Sequence, residues 1–84
     1  MNEEARRTAA INKFYDAYRE LQKYDTLRLY THESIYDDAV VEVYRYQGGK
    51  KGDRVLRVAR ADVAEAYELA ADQVENMLKQ IRQK

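Results

Sequence analysis

The chain has 84 residues, 15 basic and 15 acidic, and a formal net charge of zero. That length makes one domain, and a balanced charge with 45% hydrophobic residues argues against a disordered chain. The absence of Cys excludes disulfides and thiol chemistry, and no apolar run approaches the roughly 20 residues of a membrane-spanning helix.

Asn2 reads as a helix N-cap, with Glu3 and Glu4 suited to the positive end of a helix. Ala10, Phe14, Ala17, Leu21 and Tyr24 then recur at spacings of four and three, with Lys13, Asp16, Glu20 and Lys23 opposite. This predicts an amphipathic helix over about 3–24. DTLRLYTH alternates, Leu27 and Leu29 on one face, Arg28 and Tyr30 on the other, and predicts a strand over about 26–32. ESIYDD is polar apart from Ile35 and Tyr36 and reads as a loop or a single helical turn.

AVVEVYRYQ is rich in strand formers and predicts a strand over about 39–47. All three glycines, Gly48, Gly49 and Gly52, lie in the six residues GGKKGD, which read as a hairpin turn. Val55, Leu56 and Val58 then form a return strand over about 54–60. Asp62 and Glu65 have the spacing of a capping box. Val63, Tyr67, Ala70, Val74, Met77 and Ile81 continue as a helical stripe over about 62–82, with Lys79, Arg82 and Lys84 at the end that favours cations.

The order α-β-β-β-α predicts a single α+β domain, an antiparallel meander with both helices on one face. A helix of about 21 residues is about 32 Å long, whereas a strand of about seven spans about 23 Å. The helices are therefore expected to overhang the sheet, the excess being covered by the other helix or by a second copy of the chain. A homodimer is expected, since a chain this short also has a small core that oligomerisation would supplement.

Positive charge is concentrated in residues 48–60, with five Lys/Arg against one Asp. Lys50, Lys51, Arg54 and Arg60 are candidate phosphate contacts. Strand alternation puts Arg54 and Arg60 on one face and Arg57 on the other, so the cations are not expected to form one stripe. The αβββα order resembles, in topology, the double-stranded-RNA-binding domain. That family reads RNA with a basic block at the start of its last helix, where this chain has the acidic ARADVAEAYE. Its Gly-Pro-x-His loop is absent too: the chain has no Pro, and His32 sits in THES.

His32, Glu33, Asp37 and Asp38 match no metal-ligand spacing and read as a solvated turn. Glu65, Glu68, Asp72 and Glu75 fall opposite the apolar stripe and are expected to face solvent. No nucleophile stands beside a base, so neither catalysis nor a cofactor is expected. Tyrosine remains, eight residues in all. A sheet covered on one face leaves the other open, and Tyr44 and Tyr46 share a face. Tyr and Arg are the usual anchors of protein interfaces, and Tyr36, Tyr44, Arg45, Tyr46 and Arg57 are the expected partner-binding set. The expected function is that of a small protein-interaction module, an inhibitor or adaptor of the kind encoded by phages or mobile elements. The alternative is nucleic-acid binding through the basic hairpin. The MNEEARRTAA terminus lacks the apolar centre of a signal peptide, so a cytoplasmic location is expected, with no membrane partner.

Overall fold

A computed structural model describes residues 2–83. The elements are α1 (Glu3–Leu21), β1 (Leu27–His32), β2 (Ala39–Gln47), β3 (Lys50–Arg60) and α2 (Val63–Arg82). The strands form one antiparallel sheet in the order β1-β2-β3, a meander with both helices against one face. This is the α+β fold expected from the sequence. Among the described residues no helix is long and apolar enough to cross a membrane. Lys84, expected to finish the last helix, lies outside the described residues.

Local chemistry sets the helix starts. The Asn2 side chain accepts a hydrogen bond from the Ala5 amide at 2.7 Å, and Asp62 accepts one from Glu65 at 3.3 Å. The Glu65 carboxylate turns to Arg60 instead, at 3.4 Å. Helix α1 ends at Leu21, three residues before the expected boundary. The amides of Lys23 and Tyr24 bond to the carbonyls of Glu20 and Leu21, a tightened last turn. Tyr24 thereby leaves the apolar stripe and is exposed.

The hairpin differs most from expectation. Gly48 and Gly49 have φ of 58° and 77°. Two successive positive-φ residues are what a two-residue type I′ turn requires, and its twist matches that of the flanking strands. The ladder therefore restarts at Lys50, not Arg54, and the six-residue turn shrinks to two. Strand β3 has 11 residues, about 36 Å, and outreaches the 20 residues of α2, about 30 Å. On these lengths the helices do not overrun β3.

The sheet supplies Val41, Val43, Leu56 and Val58 to the core, and the helices supply Phe14 and Val74. Ala10, Ala17, Ala70 and Ala71 are buried as well, small side chains that let two helices approach closely. The cross-links between the helices run in register. Arg6 meets Asp62 at 3.1 Å and Glu68 at 2.7 Å, Lys13 meets Asp72 at 3.7 Å, and Arg82 meets Glu20 at 3.4 Å. Low numbers pair with low and high with high, so the helices run parallel. Two of the four carboxylates expected to face solvent, Glu68 and Asp72, are taken up by these pairs.

Phe14 is fully buried, with the rings of Tyr15, Tyr18 and Tyr67 at 5.5, 5.8 and 5.6 Å. Burial pushes the Tyr18 and Tyr67 phenols above their ordinary value of 10.0, and the Glu33 carboxylate adds to this at Tyr67. A raised phenol means that the fold favours the protonated form. The stability this gives is complete below the unfolded value and is lost as pH rises through the folded one. Urea midpoints should therefore hold steady to about pH 9 and fall above about pH 10. Tyr67→Phe should flatten part of that fall, whereas parallel curves for the two proteins would contradict this origin.

Candidate functional site

Side chains alternate across a strand. Leu27, Leu29, Val41, Val43, Leu56 and Val58 point toward the helices. The register then places Arg28 and Tyr30 of β1, Glu42, Tyr44 and Tyr46 of β2, and their β3 partners on the opposite face. Among the described residues no element covers that face. Its central positions, Glu42, Tyr44 and Tyr46, are half-buried by their neighbours alone.

The β2–β3 pairing contains two register shifts, one between Val43 and Tyr44 and one between Tyr44 and Tyr46. Each adds one residue to β3 without a counterpart on β2. The pairs on the open face are Glu42 with Arg57, Tyr44 with Arg54, and Tyr46 with Lys51. Cations three apart in sequence thus stand opposite residues two apart on β2, and all share one face. This corrects the expectation that Arg54 and Arg57 point to opposite faces. Arg60 pairs with buried Ala39 and lies on the helix side, as does Lys50, which pairs with Gln47. Gly52 belongs to the shifted segment. A Cβ built there stands 3.0 Å from the Arg45 carbonyl oxygen, so the backbones approach as only glycine readily allows.

Tyrosines and cations on this face are interleaved. Tyr30 and Tyr44 meet edge to face at 5.7 Å. The Lys51 ammonium sits 3.9 Å from the Tyr44 ring centre and 5.0 Å from that of Tyr30. The Arg28 guanidinium lies over Tyr46 at 4.6 Å. The Tyr44 hydroxyl donates to Glu42 Oε2 at 2.6 Å. Such contacts are worth about 0.5–1 kcal/mol each at exposed sites, enough to bias where a flexible cation rests.

Among the described residues, the ion pairs all lie away from this face. Arg6, Lys13, Arg19, Lys23, Arg45, Arg60 and Arg82 each reach a carboxylate. Among the described residues, Arg28, Lys51, Arg54 and Arg57 form no ion pair. With Arg28, Lys51, Arg54 and Arg57 against Glu42, a chain of zero net charge presents a positive sheet face.

Of the residues expected to bind a partner, Tyr44, Tyr46 and Arg57 lie together on the open face. Tyr36, 88% exposed in the β1–β2 loop, lines a shallow depression at its end with His32, Val40 and Arg57. Arg45 does not join them. It faces the helix side, where its Nε donates to Asp25 at 2.7 Å, and that bond raises the guanidinium pKa. Lys51 and Arg54 are on the open face; the other two phosphate candidates, Lys50 and Arg60, are not. Arg28 and Tyr30 complete the surface. Their alternation with Leu27 and Leu29 hints at this, but only the β1–β2 register sets them beside Tyr44.

Two other features stand apart from the face. Among the described residues no group of three or more His, Cys, Asp and Glu is close enough to hold a metal ion. A groove of about 460 Å³ opens where the helices end, lined by Leu21, Tyr24, Leu27, Val55, Met77 and Ile81, with Asp25 and Arg45 on its rim. Known family models, curated proteins and solved structures give no match to this chain.

Proposed function

We propose that this protein is a binding module that works through the open face of its sheet, occupying a surface on a partner protein and so acting as an inhibitor or adaptor. The observation that carries the reading is the gathering of tyrosine rings and of cations unpaired among the described residues on one uncovered face. Tyr and Arg dominate interface hot spots because they bury large areas while keeping polar tips. Cations already seated on rings lose less conformational freedom when a partner arrives. A cytoplasmic setting, where a cysteine-free chain meets other proteins, suits this role.

A two-fold dimer through this face would place like charges against each other, which disfavours it. A homodimer would use the apolar groove at the helix ends instead. The cation row also favours a second reading, a nucleic-acid strand held by its phosphates.

The test is a single substitution. Tyr46→Ala should weaken binding to the protein captured from source-cell lysate by about 1 kcal/mol or more, with the circular dichroism of the fold retained. An unchanged association constant would remove the open face from the binding surface.

A further inference from the structure

We infer that the open face accepts an extended acidic segment of a partner protein, with carboxylates at alternate residues seated on Lys51, Arg54 and Arg57. This rests on the binding-module reading above and names the chemistry of the partner.

The geometry of the row carries it. Lys51, Arg54 and Arg57 stand opposite Tyr46, Tyr44 and Glu42, positions two apart on β2 and therefore about 7 Å apart. An extended peptide presents every second side chain at the same interval of about 7 Å. The three cations have no carboxylate of their own among the described residues, so docking need not break internal pairs. Glu42 is held by the Tyr44 hydroxyl on the β2 side of the row, so repulsion from it steers an acidic segment over β3. The shifts that create the row also interrupt the backbone ladder of an edge strand, which discourages pairing along that edge. The segment therefore lies across the face and does not extend the sheet.

The rings argue against a nucleic-acid strand. Single-strand binding uses free aromatic faces as stacking platforms. Here Lys51 sits over Tyr44 and Tyr30, and Arg28 over Tyr46, so the rings serve as seats for cations. The row is short, and the loop at its far end carries Asp37 and Asp38. A long polyanion meets repulsion there, whereas a short acidic segment ends before it. The chain is neutral overall, with a pI near 6.6, unlike the strongly basic domains that track nucleic acid.

The experiment is fluorescence anisotropy with three labelled probes at low salt, about 50 mM. They are a peptide of about twelve residues alternating Glu and Thr, a block peptide of the same composition with its Glu residues together, and an oligothymidylate of matching length. The alternating peptide should bind best, about fivefold or more tighter than the block peptide. Arg54→Gln should weaken it by about fivefold or more, while the exposed α2 variant Lys79→Gln leaves it unchanged. Tightest binding by the oligothymidylate would overturn the inference in favour of nucleic acid. Equal binding of the two peptides, or indifference to Arg54→Gln, would overturn it as well. If neither peptide binds while capture of the cellular partner still depends on Tyr46, the acidic-segment inference falls and the binding-module reading stands. If capture is indifferent to Tyr46, that reading fails too.

Discussion

Phe14→Ala should cost about 3–5 kcal/mol, the usual range for emptying a buried phenylalanine site. A domain of this length has roughly 4–13 kcal/mol of stability in total, so one substitution removes much of it. Phe14 is fully buried and its ring is contacted by those of Tyr15, Tyr18 and Tyr67. Those neighbours are poorly placed to fill the void. The Tyr67 hydroxyl is tied to Glu33 at 3.4 Å, and Tyr18 is held on the same helix as the missing ring. A urea titration checks the result. The midpoint should fall steeply with little change in slope, and Phe14→Leu should recover more than half of the loss. A shift worth less than about 1 kcal/mol would mean that the helices do not depend on this cluster.

The second large effect concerns binding. Arg54→Glu combined with Arg57→Gln should reduce affinity for the cellular partner by about a hundredfold or more, because it turns the centre of a positive face negative. The fold should hardly notice. Both side chains are exposed and form no ion pair among the described residues, and exposed charges of this kind change stability by about 1 kcal/mol at most. Gln, not Glu, is chosen at position 57 because that residue faces Glu42, where a second carboxylate would introduce a repulsive cross-strand pair. The contrast between the two experiments is itself informative. Phe14 supports the scaffold without touching the open face, while Arg54 and Arg57 lie on the face without supporting the scaffold.

The element order, the caps at Asn2 and Asp62 and the helical stripes were legible in the sequence because each follows from a local pattern. The faces of β2 were legible too, since Val41 and Val43 alternate with Tyr44 and Tyr46 once the register is regular. The face of each β3 cation was not. Period two fails across KGDRVLR, where two shifts bring Lys51, Arg54 and Arg57 to one side. Gly52 was the available clue, a glycine inside a strand where another backbone passes close. The fate of Glu68 and Asp72 was hidden for a different reason. A helical wheel shows the face a carboxylate occupies, but not that a parallel neighbour brings Arg6 and Lys13 to meet it. Arg45 was expected in the partner-binding set beside Tyr44 and Tyr46, yet strand alternation turns it to the helix side, where it pairs with Asp25.

Calorimetric titration of the captured partner into three proteins tests the open face most directly. The three are the wild type, the Arg54→Glu/Arg57→Gln variant and Lys79→Glu, which alters an exposed, unpaired lysine on the helical side. Affinity should collapse for the sheet variant and match the wild type, within about twofold, for the helix variant. Loss of binding through Lys79→Glu, with the sheet variant unaffected, would move the interface to the helices and contradict the role assigned to the sheet.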